Sequence, residues 1–400
     1  MTRQCPVTRF GPEFLEDRHS AYEHLRAADP VCPAVLPSGE RVWLVTRHAD
    51  VREGMSDPRL SNDSTRWQQG VRPYAAAPDL EAAIAQDMLN ADPPRHTGMR
   101  EVIAEWLTVA RSERFRDHLA DICAELLDGF TVGTVIDVVR DYTEPFASRA
   151  AADLLGVSHE FHAEFCRLAH QIVVAMLNKH TDSDLVAPST RLLDMAKEMI
   201  ESKRGAPAED LLTTLVAAHD AGRLSAADLT STMHLLLIAG HEGPTNLSGS
   251  GIQLLLTNPD QLDRLRADPG LLPSAVEEFL RMEPPLDLAF PRYAEVPITL
   301  SEVTIPAGEP IMFSLVSAGR DEDRFRDPDR LDIGRRERHH FAFGRGRHYC
   351  VGAALGRIEC QVAIGSLLSR FPDLRLAPGE NVAWRPSVIA RGPARMLVQL

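Results

Sequence analysis

The chain has 400 residues, 44% of them hydrophobic, and a formal net charge of −14 at pH 7. Length alone suggests two or three domains, and the acidic balance argues against nucleic acid or an anionic membrane as the main partner. Six cysteines without regular spacing form neither a disulfide framework nor a zinc site, which favours a reducing cytoplasm. The first residues lack the apolar core of a signal peptide, and no segment reaches the ~20 apolar residues that span a bilayer.

The N-terminal part predicts a helix, a hairpin and a loop. Residues 12–28 carry apolar side chains at helical spacing, which predicts one amphipathic helix. Residues 41–46 are rich in β-formers and follow a Ser-Gly turn, which predicts a small hairpin. The segment 61–87 has no clear periodicity and is predicted to be a loop. Residues 112–220 show a succession of helical patterns with short breaks.

A polar motif, DPPRHTGMR, occupies residues 92–100. Pro94 suits the first turn of a helix. His96 and Arg100 are four residues apart, so on a helix they share one face. Two donor groups on one face suit a pair of carboxylates on a ligand. Solvated surface residues are the alternative that the pattern leaves open.

A long helix is predicted in the second half of the chain. Ser225 and Asp228 form a capping box, and the helix should run to about Thr257, where Asn258-Pro259 stops it. At ~1.5 Å per residue such a helix is about 45 Å long, enough to cross the protein.

The centre of this helix reads AGHEGPTN over residues 239–246. Pro244 has no N–H to donate to the carbonyl of Gly240, which predicts a bend or bulge there. A free carbonyl that faces a cavity is a site for a water molecule. Glu242 places a carboxyl group at the same point.

Two further patterns lie between this helix and residue 314. Glu278 and Arg281 are three residues apart in an otherwise apolar helical segment, and an exposed ion pair is the simpler interpretation. Residues 298–314 predict two strands joined by a turn at Pro306-Ala307-Gly308.

The stretch FAFGRGRHYCVGAALGRIE places Cys350 after a glycine-rich loop and before a run of helix formers. Gly344, Gly346 and Gly352 allow the backbone to turn tightly and to approach a sulfur or a flat cofactor. Cys350 then lies near a helix N-terminus, where free N–H groups and the helix dipole stabilise a thiolate. The pattern predicts a liganded sulfur, whereas the other five cysteines are predicted to be small buried apolar residues.

This loop resembles the haem-binding loop of the cytochrome P450 family, Phe-x-x-Gly-x-x-x-Cys-x-Gly, matched by Phe343, Gly346, Cys350 and Gly352. The motifs at 92–100, 239–246 and 278–281 resemble three further family motifs in the expected order. The resemblance implies a mainly α fold in one domain, residues 1–400, with a large helical part and a smaller β-rich part. It places haem b (iron protoporphyrin IX) between the long central helix and the cysteine loop.

The resemblance also implies roles for individual residues. Cys350 is the iron ligand, whose thiolate pushes electron density onto iron and favours O–O cleavage. The other expected haem or propionate contacts are His96, Arg100, Ala239, Arg292, Phe343, His348 and Gly352. The residues expected to act in oxygen activation are Gly240, which would let the helix lie against the haem, Glu242, Gly243 and Thr245.

Two more groups follow from the same resemblance. The residues expected to line the substrate pocket are Leu286, Leu288, Ala289, Phe290, Val388 and Ile389, with the loop at 61–87 above it. Glu278 and Arg281 are expected to form a buried pair that bonds Arg335 or Arg336 and holds the cysteine loop.

The oxygen-activation segment departs from the family at one position. Most relatives carry threonine where this chain has Gly243, so one hydroxyl group is absent. Thr245 is two residues on, about 200° around the helix, and is a poor substitute. We therefore expect non-standard proton delivery, by ordered water or by a substrate hydroxyl. The alternative is that Gly243 makes room for a bulky substrate, and the two are compatible.

The expected activity is that of a cytochrome P450 monooxygenase or oxidase in bacterial secondary metabolism, acting with O₂ on a small hydrophobic or aromatic molecule. Oxidative phenol or indole coupling without oxygen insertion is a second reaction. Peroxide-driven turnover is a weaker third, because the arginine of known peroxide-using relatives is missing. A non-catalytic haem protein that binds gases or other ligands is the alternative of another class.

The expected partners are a ferredoxin and a ferredoxin reductase, with the enzyme a soluble cytoplasmic monomer. Four arginines near the cysteine suit docking of an acidic electron donor, with a solvated face as the alternative. They are Arg336, Arg338, Arg345 and Arg347.

Overall fold

The computed structural model describes residues 8–37, 39–63, 77, 80, 87–177 and 182–400. The chain forms two compact units. The first consists of residues 1–71, 273–350 and 386–391, and the second of residues 72–272, 351–385 and 392–400. A single domain over residues 1–400 stays a prediction. The predicted loop at 61–87 lies largely outside the described residues.

The first unit holds most of the β-structure. Its strands are β1 (Thr8–Arg9), β2 (Val31–Val35), β3 (Arg41–Val45), β4 (Leu60–Ser61), β6 (Arg292–Ala294), β7 (Ile298–Leu300), β8 (Val303–Ile305) and β9 (Pro310–Phe313). Its helices are α1 (Pro12–Glu16), α2 (Arg18–Ala28), α3 (His48–Gly54), α13 (Leu272–Met282), which enters the unit at residue 273, and α14 (Leu315–Gly319).

Six of these strands form one mixed sheet in the order β1-β2-β3-β9-β6-β4. Strands β2 and β3 are antiparallel with Val31 opposite Val45, which confirms the predicted hairpin. Strand β9 pairs parallel with β3 and antiparallel with β6. All four residues of β9 are buried, as expected of a continuous apolar run in a central strand.

Two hydrophobic clusters pack against this sheet. Ile311 and Phe313 of β9 belong to one cluster, together with Phe341. Met312, which lies between them in the sequence, belongs to the other cluster, together with Tyr22. Successive side chains of a strand point to opposite faces, so the sheet of the first unit has a core on each face.

The second unit is mainly helical. Its helices are α4 (Arg95–Ala104), α5 (Val109–Arg114), α6 (Arg116–Asp128), α7 (Glu144–Leu155), α8 (His159–Leu177), α9 (Asp182–Gly205), α10 (Leu211–Asp220), α11 (Ala226–Thr257), α12 (Pro259–Ala267) and α15 (Ala353–Arg370). Its strands are β5 (Val135–Asp137), β10 (Arg375–Leu376), β11 (Ala383–Trp384), β12 (Pro393–Arg395) and β13 (Leu397–Gln399). They form two small sheets, β10-β13-β5 and β11-β12. Among the described residues, none of the helices has the length and apolar character to cross a bilayer.

Helix α11 has the bounds predicted from the sequence. The Ser225 hydroxyl accepts from the Asp228 N–H, and the Asp228 carboxylate accepts from the Ser225 N–H, both over 3.0 Å. The helix ends at Thr257 and is helical through Pro244. The bend expected at Pro244 stays a prediction.

Two elements differ from the expectation. Residues 12–28 form two helices instead of one, because Asp17 leaves the helical conformation and its carboxylate caps α2 by accepting from the Ser20 N–H. Residues 298–314 form three strands instead of two. Ser301 and Glu302, both with positive φ, turn the chain between β7 and β8. The predicted turn at 306–308 then leads from β8 into the larger sheet.

Candidate active site

The cysteine loop of the first unit is closed by main-chain hydrogen bonds. The Cys350 N–H donates to the Phe343 carbonyl over 2.8 Å, and the Tyr349 N–H donates to the Gly346 carbonyl over 3.1 Å. Gly346 has a φ of +76°, and a Cβ there would lie 2.7 Å from the carbonyl oxygen of Met55. Only glycine fits this position, so the loop holds Cys350 in a defined place.

Among the described cysteines, Cys350 is exposed to solvent, whereas Cys32, Cys123 and Cys360 are buried as predicted. Cys166 is half-buried, and Cys5 lies outside the described residues. Helix α15 begins three residues after Cys350, and its N-cap residue, Gly352, has no side chain to cap the first N–H groups. Such a helix start favours negative charge, as a thiolate carries. An exposed sulfur in this setting could bind the iron of a haem.

Glu278 and Arg281 form a buried ion pair in α13, and the downstream arginine that joins them is Arg335. Arg281 donates to both carboxylate oxygens of Glu278, over 2.7 and 2.8 Å. Arg335 Nε donates to Glu278 Oε1 over 3.0 Å, whereas Arg336 is exposed. The other two guanidinium nitrogens of Arg335 also donate: Nη1 to the carbonyl of residue 326, and Nη2 to the carbonyls of residues 327 and 330. The cluster therefore fixes the segment that leads into the cysteine loop.

Arg292 of β6 also contacts the cysteine loop. Its side chain is 5% exposed, and it donates to the carbonyl of Met55 over 2.5 Å and to that of Arg345 over 3.4 Å. His348 is half-buried in a short 3₁₀ turn, Gly346–His348. Both side chains thus lie in or against the loop that carries Cys350.

His96 and Arg100 lie on α4 of the second unit. His96 is buried and Arg100 is half-buried. Pro94 is the N-cap of this helix, one position earlier than expected. Arg95 forms an ion pair of 2.7 Å with Asp228, which links the start of α4 to the start of α11.

The middle of α11 has an open face. Ala239 is exposed, and a Cβ at Gly243, four residues later on the same face, would meet no atom within 4 Å. Gly240 points elsewhere, because a Cβ there would lie 3.1 Å from the Cβ of Ala151 in α7. The close packing of α7 is therefore a sufficient reason for glycine at 240. The face with Ala239 and Gly243 has the room that a flat cofactor or a substrate needs.

Glu242 is buried in α11 and is held through one carboxylate oxygen. Asn246 Nδ2 donates to Glu242 Oε1 over 2.7 Å, and Arg385 Nε lies 3.8 Å from the same oxygen. Glu242 Oε2 has no hydrogen-bond partner among the described residues. Burial raises the pKa of Glu242, and Arg385 and the Asn246 hydrogen bond oppose this rise. A carboxyl group in this state holds a proton more readily than one in water, which suits an acid–base role.

Thr245 is 1% exposed, and its hydroxyl donates to the His241 carbonyl over 2.8 Å. The proton of this hydroxyl is therefore directed back along the helix. This geometry supports the view that Thr245 does not replace the hydroxyl missing at Gly243.

The expected pocket residues are divided between the cores and the surface of the first unit. Leu288 and Val388 belong to one hydrophobic cluster and Ala289 to the other. Leu286 and Ile389 are half-buried, and Phe290 is 38% exposed. Leu286, Phe290 and Ile389 are thus the members with the most accessible surface.

Asp287, between these residues, makes contacts that no sequence pattern predicted. Its carboxylate is fully buried and accepts from Arg18 over 2.6 Å and from the Tyr22 hydroxyl over 2.7 Å. Its N–H donates to the carbonyl of Ile389. Two side chains of α2 therefore hold the segment 286–290 in place.

Arg385 and Asn246 were also missed as partners of Glu242. Asn246 lies one helical turn after Glu242, and this i, i+4 spacing was a usable signal. Arg385 is distant in sequence, and no local pattern links it to the helix.

Comparison with known proteins identifies the family. A family model described as Cytochrome P450 matches residues 270–386. The vitamin D(3) 25-hydroxylase of Pseudonocardia autotrophica is 40% identical over 394 residues, which cover 98% of this chain and 96% of that protein. The chain belongs to the cytochrome P450 family.

Two solved P450 structures are similar over nearly the whole chain. The tirandamycin C-bound P450 monooxygenase TamI has a TM-score of 0.90 at 36% identity, covering 99% of this chain and 100% of that one. The P450 enzyme CxnD, for C–S bond formation in chuangxinmycin biosynthesis, has a TM-score of 0.90 at 31% identity, covering 100% and 98%. The predicted P450 fold is confirmed.

Family membership makes the protein a P450 monooxygenase with haem as its cofactor. P450s of this type use O₂ and redox partners and act on small molecules. The described residues fit such a cofactor, because Cys350 is exposed and stands just before a helix N-terminus that has no side-chain cap. The haem and monooxygenase predictions are therefore confirmed at the level of the family.

Proposed function

We propose that this P450 oxidises a hydrophobic natural product in bacterial secondary metabolism, with electrons from a ferredoxin and with proton delivery that does not use a threonine hydroxyl. The observation that carries the proposal is the pairing of a buried carboxyl group, Glu242, with open space at Gly243 in the same helix. When bound, the haem supplies the redox centre at which O₂ and two electrons are used.

The residues of this chain would hold the haem by coordination, charge and packing. Cys350 would supply the thiolate ligand. Four side chains would bind the propionates as donors: His96, Arg100, Arg292 and His348. Three small or flat residues would pack against the macrocycle: Ala239, Phe343 and Gly352. Glu278 and Arg281 act at a distance, because with Arg335 they fix the segment before the loop.

Glu242 moves protons between the protein and the reacting centre. Burial raises its pKa, so it takes up and releases a proton nearer to neutral pH than a surface carboxylate does. Because Gly243 carries no hydroxyl group, the last transfer uses ordered water near the Gly240 carbonyl or a hydroxyl group of the substrate. Asn246 and Arg385 orient the carboxylate through Oε1.

The substrate lies against apolar side chains. Leu286, Phe290 and Ile389 offer the most accessible surface among the expected lining residues, which also include Leu288, Ala289 and Val388. Two similar proteins are a vitamin D(3) 25-hydroxylase and a P450 monooxygenase bound to tirandamycin C. The open space at Gly243, where a Cβ would meet no atom within 4 Å, leaves room for a large substrate.

The electron donor is a ferredoxin, itself reduced by a ferredoxin reductase. Arg336, Arg338 and Arg345 of the first unit are exposed. Their positive charge complements the acidic surface of a ferredoxin and speeds its association. The enzyme works with it as a cytoplasmic monomer.

The test begins by measuring the shift of the Soret band when candidate ligands are added to the ferric protein. The ligands are macrolides, steroids, terpenes, aromatic amino acids and cyclic dipeptides. The ligand that shifts the band from low to high spin is then turned over in heavy-isotope O₂. We expect one labelled oxygen atom in the product. An unlabelled, coupled product would overturn the proposal that oxygen is inserted into this substrate.

Oxidative coupling is the second candidate reaction. The similarity to CxnD, an enzyme for C–S bond formation, favours it, since bond formation between substrate groups inserts no oxygen. An aromatic ligand in the Soret screen and an unlabelled product together would establish it.

A haem protein that only binds gases or ligands is the candidate of another class. Such a protein would show a ligand-induced Soret shift. It would not oxidise reduced ferredoxin in the presence of any of the ligands. The buried Glu242 argues against it, because a ligand carrier needs no proton donor.

A further inference from the structure

Two segments of the first unit, 286–290 and 387–391, carry the expected pocket residues with the most accessible surface. The two segments are paired through an antiparallel bridge between Leu286 and Ala390. The Asp287 N–H also donates to the carbonyl of residue 389 over 2.7 Å. Because the two main chains are bonded to each other, a shift of one segment moves the other.

Arg18 of helix α2 bonds both segments at once. Its Nη1 atom donates to Asp287 Oδ2 over 2.6 Å, and its Nη2 atom donates to the Ser387 carbonyl over 3.4 Å. Tyr22, one helical turn later, donates its hydroxyl proton to Asp287 Oδ1 over 2.7 Å. Each oxygen of the carboxylate thus has its own donor from α2, which fixes the plane of the carboxylate as well as its position.

The three side chains of this cluster are buried. Arg18 is 3% exposed, Tyr22 1% and Asp287 0%. Burial and the neighbouring carboxylate raise the pKa of Tyr22 well above its usual value, so its hydroxyl group remains a donor. Taking an ion pair out of water is costly, and apolar side chains of similar volume often give equal stability. The charged cluster adds a fixed direction, which apolar packing alone does not impose.

A second buried carboxylate, that of Glu283, holds the neighbourhood of the same two segments. Arg391, the last residue of the second segment, donates from Nε to Glu283 Oε2 over 2.7 Å. Arg320 donates to the other oxygen over 2.9 Å. His19 of α2 lies 3.2 Å from that oxygen through Nε2. Three side chains from one turn of α2 therefore contact the segments or the residue that anchors them.

We propose that the cluster of Arg18, Tyr22 and Asp287 determines substrate specificity by positioning the two segments. The three side chains are positioning residues, since they are buried and act through Leu286 and Ile389. The inference rests on the proposed function, in which these two side chains line the substrate pocket. It goes further, because it places a determinant of specificity in α2, a helix to which no pocket residue is assigned.

The test uses two nitrogen ligands of the ferric haem, imidazole and 4-phenylimidazole, and so does not require the natural substrate. Both ligands bind the iron through an imidazole nitrogen, but only the second extends a phenyl group into the pocket. Titration of the Soret band gives a Kd for each ligand, and the ratio of the two Kd values measures the fit of the phenyl group.

Tyr22→Phe removes one hydrogen bond from the cluster, and Arg18→Lys keeps the charge but loses the fork that bonds both segments. We expect either variant to weaken 4-phenylimidazole about fivefold, because the two segments are less well preorganised, and to leave the Kd of imidazole unchanged. An unchanged ratio of the two Kd values in both variants would overturn the proposal.

Tyr142→Phe is the matched control. Tyr142 is also fully buried, and its hydroxyl donates to the Ala363 carbonyl over 2.7 Å in the second unit. Tyr22→Phe and Tyr142→Phe should both lower the free energy of unfolding, whereas only Tyr22→Phe should change the ratio. An equal change of the ratio in the two variants would also overturn the proposal, since it would reflect a general loss of stability.

Variants of the pocket residues separate the inference from the function on which it rests. Leu286→Ala and Ile389→Ala should change the ratio, because they remove side chains that the phenyl group meets. If neither variant changes it, these residues do not line the pocket, and that part of the proposed function fails. If both change it while Tyr22→Phe and Arg18→Lys do not, only the role of the cluster fails.

Discussion

Arg335 Nε donates to Glu278 Oε1 over 3.0 Å, and both side chains are buried. Glu278 also holds Arg281, so one carboxylate joins a helix to the segment before the cysteine loop. Breaking a buried ion pair leaves an uncompensated charge and is destabilising, in contrast to the loss of an exposed pair.

The first prediction concerns the shape of Arg335 and not its charge. Arg335→Lys keeps the positive charge but loses the fork that donates to three main-chain carbonyls. We expect a loss of about 2–3 kcal/mol in the free energy of unfolding, at ~1 kcal/mol per hydrogen bond. Denaturant unfolding measures it. Arg336→Lys, at the exposed neighbour, is the control, and an equal loss in both variants would contradict the account.

The second prediction separates the two explanations of Gly243. A Cβ at this position meets no atom within 4 Å, so Gly243→Thr and Gly243→Val should both fold, with stability equal to or slightly above that of the parent. The two side chains have nearly the same shape, but only threonine has a hydroxyl group.

We expect Gly243→Thr to raise the yield of product per electron pair and Gly243→Val to leave it unchanged or lower. Peroxide release per ferredoxin oxidised measures the difference. If both variants weaken substrate binding equally in a Soret titration and neither changes the yield, Gly243 serves only to make room.

The third prediction concerns the donor surface. Changing Arg345 and Arg347 to Glu reverses positive charge beside Cys350, so reduction by ferredoxin should slow strongly and become less sensitive to salt. Reduction by dithionite should be unaffected. Arg41→Glu makes the same change at the exposed start of β3 and serves as the control. Equal slowing with both reductants would refute a docking role.

The fourth prediction concerns Glu359 of α15, which is 3% exposed and whose pKa burial raises to about 8. In the unfolded chain its pKa is ~4.3. Because the folded pKa is the higher one, its stabilising contribution is complete below pH ~4 and is lost as pH rises through 8.

At pH 8.5, the free energy of unfolding of Glu359→Gln should therefore exceed that of the parent by on the order of a few kcal/mol. This difference should shrink as pH falls towards 5. Urea unfolding at several pH values measures this, with Glu101→Gln at an exposed site of α4 as the control. A difference that does not depend on pH would show that another effect is responsible.

The sequence predicted those parts of the fold whose signals are local. The capping box and the Asn-Pro stop define α11, and the glycines define the cysteine loop. The break at Asp17 was missed because the apolar periodicity continues across it, while the capping preference of one side chain decides the structure.

The contacts that orient the site residues were less accessible to prediction. Arg385 reaches Glu242, and Arg18 reaches Asp287, from distant parts of the chain. Such pairs are set by packing of whole elements and not by spacing along one helix. Residue types and motifs therefore predicted which residues belong to the site. The partners that hold these residues in place become visible only in the tertiary structure.

The most direct test of the account is the identity of the iron ligand. The reduced carbonyl complex of the parent protein should show the red-shifted Soret band of a thiolate-ligated haem. Cys350→His should keep haem but lose this band, while Cys360→Ala, at a buried cysteine, should keep it. Retention of the thiolate band in Cys350→His would contradict the assignment of Cys350 and the site built around it.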